Sequence, residues 1–133
     1  MKVKNFVLFD NLFTEALMFF VKLHIPVKVS FPLEKCLKKF QEEEVAVRTA
    51  RDNLVKKYGE IVVDKEGNPQ AWDIAKASKE NQDLFNKEII ELINMEFELP
   101  IDNRIEVSIK DLEKVNVSTE YLNKMSLLID IKD

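Results

Sequence analysis

The stretch Leu33–Tyr58, LEKCLKKFQEEEVAVRTARDNLVKKY, decides how the chain is read, because it is the longest segment with a sustained helical period. Leu33, Phe40, Val47 and Leu54 recur every seventh residue. They therefore fall along one side of a helix and need a surface to bury against. The neighbouring seam positions are Cys36, Glu43, Ala50 and Lys57, so apolar bulk is confined to the start and parts of the middle. Ser30-Phe31-Pro32 supplies the entry: the serine can accept from free first-turn amides, and the proline is tolerated where amides have no helical partner. At the far end Lys56 and Lys57 suit the negative pole, and Gly59 is expected to close the helix in the left-handed conformation. At about 1.5 Å per residue the element is roughly 40 Å long.

Upstream, Lys2–Phe9 is β-branched and aromatic enough for a strand, and Asp10 or Asn11 can cap a helix reaching about Leu23. Leu12, Phe13, Ala16, Leu17, Phe20 and Val21 give that helix a broad apolar face. Ile25–Val29 is expected to be extended, since Pro26 disfavours helix before it and the valines alternate with lysine. Downstream, Ile61–Val63 reads as a short strand and Asp64-Lys65-Glu66-Gly67-Asn68 as a turn, together a small hairpin or ordered loop. A second helix is expected from about Gln70 or Asp73 to Glu96, with Ala75, Ser78, Gln82, Phe85, Ile89, Leu92 and Ile93 on one face. Two long helices so joined fold back on one another, which places Phe40 near Ile89. The tail holds an extended Phe97–Ile101 with Pro100 favouring an edge, a strand through Ile105, Val107 and Ile109, a weak turn around Leu112, a helix capped by Ser118, and a last strand at Leu127–Ile131. The fold class is α+β: a long antiparallel helical hairpin (33–96) on a base of short strands and an N-terminal helix (1–32 and 97–133).

A chain of 133 residues suits a single domain. With 46% hydrophobic and 33% charged residues and only two glycines, it has the profile of a folded, helix-rich protein. The net charge of −4 is spread along the chain with no basic stripe to follow a phosphate backbone, which argues against nucleic acid. Asp10, Asn11 and Glu15 interrupt the apolar N-terminal region, so it is read as mature structure rather than as a signal peptide. Ala16–Val21 is far shorter than the roughly 20 residues of a membrane crossing, so no membrane partner is expected.

Candidate chemistry is sparse. His24, the only histidine, would need an orienting carboxylate to relay protons, and a structural role at a helix end explains it as well. Cys36, the only cysteine, excludes an internal disulfide; Lys35, Lys38 and Lys39 could activate its thiol, whereas burial would make it a small hydrophobe. Asp64, Glu66 and Asn68 lack the later bidentate glutamate of a calcium loop. Glu42-Glu43-Glu44 point in different directions around a helix and read as solvated charge. Metal-ligand spacings and a glycine-rich phosphate loop are both missing, so no metal, cofactor or nucleotide is expected. What remains is an apolar group at the tip of the hairpin: Tyr58, Ile61, Val62, Val63 and Trp72. Such clusters mark association sites, although the strand could equally fold over Trp72 as a satellite cluster.

From Leu23 to Leu122 the order of elements resembles an uncharacterised family of short proteins encoded by tailed bacteriophages and prophages. The matching pieces are Ile25-Pro26-Val27-Lys28-Val29-Ser30-Phe31, Leu54-Val55-Lys56-Lys57-Tyr58-Gly59-Glu60, Asp64-Lys65-Glu66-Gly67-Asn68, Leu99-Pro100-Ile101, Ile109-Lys110-Asp111-Leu112 and Val115-Asn116-Val117-Ser118. The resemblance implies a phage origin, in the host bacterial cytoplasm or the virion, and carries no catalytic residues. The expectation is a non-enzymatic protein that contacts itself or other phage proteins, as a minor virion component or assembly factor. A small effector that binds and inhibits a host protein is the alternative, and an enzyme without recognisable motifs is the third class.

Overall fold

In the computed structural model, which describes residues 1–133, the long helix α2 runs from Val27 to Tyr58. It starts six residues earlier than the periodicity of Leu33–Tyr58 implies. The Pro26 carbonyl opens it, accepting from the amides of Val29 (2.9 Å) and Ser30 (3.1 Å). The expected extended Ile25–Val29 is thus helical from Val27 onward, Ser30 is not a cap, and Pro32 lies inside the helix. Burial explains the outcome. Val29, Leu33, Cys36 and Phe40 follow one another at helical spacing and all are buried. Of the residues the earlier start adds, Val29 is the buried one, and burying it contributes about 1.5–3 kcal/mol against the roughly 3 kcal/mol cost of an interior proline. That cost is also lowered here, because the carbonyl deprived of a donor belongs to exposed Lys28 in the first turn.

The fold is α+β, and the chain packs into two compact units, Met1–Glu43 with Glu96–Asp133, and Glu44–Met95. In the first unit, β1 (Lys2–Lys4) pairs antiparallel with the distant strand Glu96–Glu98. Val3 opposes Phe97 on the buried side, while Lys2 faces Glu98 and Lys4 faces Glu96 on the exposed side. Each cross-strand pair therefore matches in both hydrophobicity and charge. The expected strand to Phe9 stops at Lys4, and Asn5–Phe9 forms a 3₁₀ turn that buries Val7. Helix α1 (Asn11–Val21) is capped by Asp10, whose Oδ1 accepts from the Phe13 amide at 3.1 Å. Phe13, Ala16, Leu17 and Phe20 are its buried face, as the apolar spacing requires.

The second unit contains the end of α2, then β2 (Glu60–Val63), β3 (Pro69–Asp73) and α3 (Lys79–Asn94). Pro69–Asp73 is strand, not the start of the second helix, because it pairs antiparallel with β2. The helix begins only after Ser78, whose Oγ accepts from the Asn81 amide at 3.2 Å. Along α3 the half-buried positions include Gln82, Phe85, Ile89, Leu92 and Ile93, the face the spacing selects, yet none is fully buried.

The chain then returns to the first unit with β4 (Glu96–Glu98), β5 (Ile105–Ser108), α4 (Ile109–Leu112), α5 (Thr119–Met125) and β6 (Ile129–Lys132). Pro100 lies beyond β4, and Ile109 opens α4 rather than extending β5. Ser108 and Ser118 cap α4 and α5, accepting from the amides of Lys110 (3.3 Å) and Tyr121 (3.2 Å). β5 and β6 pair in parallel, with α4 and α5 in the crossover and the Arg104 guanidinium donating to the Ile129 carbonyl at 2.7 and 3.2 Å. Phe40 packs edge-on against Phe13 and Phe97, with ring centroids at 5.2 and 5.5 Å. Its ring partners therefore come from α1 and β4, not from the second helix. No helix is long and apolar enough to cross a membrane.

Candidate functional site

The β2–β3 hairpin of the second unit holds four of the five residues singled out at the tip, Ile61, Val62, Val63 and Trp72, and Tyr58 is the last residue of α2 just before it. β2 leaves α2 through Gly59, whose amide donates to the Val55 carbonyl at 2.7 Å. The left-handed conformation expected at Gly59 does not occur; Gly67, at φ 84°, is the residue with positive φ. What Gly59 supplies is room. A Cβ there would lie 2.5 Å from the Val55 carbonyl oxygen and 3.3 Å from the backbone of Asp73, where β3 ends. The opposite end of the hairpin is built around Asp64. Its Oδ1 accepts from the amides of Glu66 and Asn68, both at 2.9 Å, and its Oδ2 from the Gln70 side chain at 3.2 Å. The Asn68 amide first, with that of Glu66, holds this carboxyl below its ordinary range. Its oxygens thus serve the turn, in keeping with the turn reading of this segment.

Ile61 stands opposite Trp72, and Val62 opposite Ala71. The register then shifts, so that Val63 pairs with Pro69 and Gln70 is the extra residue of a bulge. Directly opposed residues share a side of the ladder, which puts the Ile61 and Trp72 side chains next to each other. Ile61 is 47% exposed, Val63 55% and Trp72 39%, whereas Tyr58 and Val62 are half-buried. Ile61 and Trp72 are therefore not covered by the hairpin itself. β2 and β3 form a two-stranded sheet, so each also has one outer edge without a strand neighbour.

Tyr58 belongs to a polar cluster that sequence reading did not find. Lys57 Nζ lies 4.9 Å from the Tyr58 ring centroid and 3.5 Å from Glu88 Oε2. The Tyr58 hydroxyl, and then the Lys57 ammonium, hold the Glu88 carboxyl below its usual range. Glu88 Oε2 is shielded from solvent, and the Lys57 ammonium beside it is its compensating charge. The three residues are brought together only when α3 packs beside the end of α2.

The two residues weighed for chemistry lie in the first unit. Cys36 is fully buried, and burial pushes its thiol up to about 11, so Lys35 does not activate it. His24 is exposed in the turn after α1, with no ion-pair partner. With this geometry in view, no family model, curated protein or solved structure matches the chain.

Proposed function

We propose that this chain is a non-enzymatic phage protein that acts through protein contact, as a minor virion component or assembly factor. The Ile61–Trp72 face of the β2–β3 hairpin is its contact surface. One observation carries the reading: in Glu44–Met95 the only fully buried apolar residues are Val47 and Ala77, while Val45, Ile61, Val63, Trp72, Leu84, Ile90 and Met95 are exposed. A unit so short of core gains stability by covering apolar surface with another chain. An exposed tryptophan beside a β-branched residue is also the kind of pair on which contact energy concentrates. The resemblance to short phage proteins supplies the biological setting.

Light scattering and circular dichroism on one sample test the contact. The wild type is expected to self-associate, or to bind another phage protein, and Trp72→Ala to weaken that contact at least tenfold with helical content unchanged. A wild type that stays monomeric and partnerless, with a Trp72→Ala variant that unfolds, would reduce Trp72 to a packing residue. Recovery of the protein from purified virions separates a particle component from an effector, for which copurification with one host protein is the signature.

A further inference from the structure

The first unit carries an open groove of about 760 Å³ between the end of α1 with its following turn, and α4 with the loop after it. Lys22 and His24 line one side, and Lys110, Lys114 and Asn116 the other. Phe19, Leu23 and Pro26 add apolar wall. The net charge of the chain is −4, yet the single acid in this lining is Asp111. None of the three lysines, nor Asp111, makes an ion pair; that is true of most lysines in the chain, and what sets these three apart is that they line one concavity. Charge is also sorted locally. A neighbouring groove that shares Phe19 and Asn116 contains Glu15 and Glu120 and no basic residue. Like charges left unpaired around one concavity raise the local potential and favour an anion there.

We propose that this groove binds a small organic phosphate, its head held by Lys22, Lys110 and Lys114 and its apolar body laid against Phe19, Leu23 and Pro26. A phosphate monoester carries about −1.5 to −2 charges near pH 7, which matches three lysines less one aspartate better than a monocarboxylate does. Lysine ammoniums are point charges with rotatable donors, suited to a tetrahedral head reached from several directions. The volume lies within the roughly 300–1,000 Å³ usual for small-molecule sites, far more than an inorganic anion fills, which is why an organic body belongs there. The negative end of α1 works against an anion here, a modest cost beside three converging ammonium groups. No glycine-rich cradle is needed, since side-chain charge replaces backbone amides. The proposal is independent of the hairpin contact, whose residues lie in the other unit.

An amide NMR titration of the full chain at low salt tests it, with phenyl phosphate, inorganic phosphate and benzyl alcohol as separate probes. Phenyl phosphate is expected to give saturable shifts centred on Lys22–His24, Lys110 and Lys114–Asn116, inorganic phosphate weaker shifts at the same amides, and benzyl alcohol none. The double variant Lys110→Glu/Lys114→Glu should weaken phenyl phosphate at least tenfold. Should that variant lose its folded spectrum, Lys22→Gln is read in its place and is expected to weaken binding severalfold. Failure to saturate, shifts centred elsewhere, an equal response to benzyl alcohol, or an affinity that ignores these substitutions would each overturn the proposal. Vesicles containing phosphatidic acid form a further arm: capture of the protein by them, with no response to phenyl phosphate, would assign the lysines to a lipid surface and overturn it too.

Discussion

Replacing Phe40 by alanine is the sharpest test of how the first unit holds together. The ring is 6% exposed and meets Phe13 at 5.2 Å with an interplanar angle of 66°, and Phe97 at 5.5 Å and 88°. Both are edge-to-face arrangements, each worth about 0.5–1.5 kcal/mol beyond area burial. Truncation to a methyl group removes roughly 100–150 Å² of buried apolar surface, or about 2.5–4 kcal/mol at 25 cal/mol per Å². With the two ring contacts the gross loss is roughly 3.5–7 kcal/mol, and partial collapse of the cavity returns some of it, so the net cost is expected at about 3–5 kcal/mol. α2, α1 and β4 meet at this ring, so the loss should appear as cooperative unfolding of the first unit rather than as local fraying. Val45, five residues along the same helix, is 64% exposed, and Val45→Ala should stay within about 1 kcal/mol of wild type. Urea denaturation followed by circular dichroism on both variants decides the matter. Matching midpoints, or a Phe40→Ala cost below about 1 kcal/mol, would refute the assignment of Phe40 as the joint of this core.

Asp10 both caps α1 and accepts from Lys124 Nζ at 2.7 Å, and the Lys124 bond first, with the Phe13 amide, holds its carboxyl below the ordinary carboxylate range. A depressed folded pKa means that the contribution is intact above the unfolded value near 3.9 and is lost as pH falls through the folded value. Asp10→Asn, which retains a capping oxygen, should therefore cost about 1 kcal/mol at pH 7, and its urea midpoint should converge on the wild type as acid protonates Asp10 in the folded protein. Cys36 should resist a thiol reagent at pH 8 in the native state and react only at the rate at which the first unit opens, measured by labelling over a urea series; rapid native labelling would contradict its burial. Gly59→Ala should destabilise the hairpin junction by about 1–3 kcal/mol through the clash with Val55 and Asp73, and Gly67→Ala, with open space but positive φ, by about 1 kcal/mol. Hydrogen exchange at the β2–β3 amides reports both, and equal protection in Gly59→Ala and wild type would show that the chain shifts freely there.

By itself the sequence determined what rests on neighbours in the chain. The caps at Asp10 and Ser118 and the turn at Asp64 follow from a side-chain oxygen a few residues from a free amide. The buried face of α1 and the half-buried face of α3 follow from helical spacing alone. Of the candidate site, the composition of the tip was legible, because five bulky apolar residues crowd beside a glycine and a turn; which of them stay exposed was not.

The tertiary structure alone decided the rest. Val27–Phe31 is helical against its local preference, and in that conformation Val29 is buried in line with Leu33, Cys36 and Phe40. Pro69–Asp73 has no strong strand pattern of its own and becomes β3 because the backbone groups of β2 need partners. β1 finds its partner in Glu96–Glu98, where burial and charge both match, and β5 pairs in parallel with β6 across α4 and α5 even though Glu106 then stands opposite Asp130; neither partner is near in sequence. The lysine groove depends on the same kind of event. Lys22 and Lys110 are remote in sequence, and no charge count along the chain reveals that folding places them around one concavity with no acid paired to either. Local preferences act over a few residues, whereas burial and charge pairing are properties of surfaces that exist only after distant segments have met.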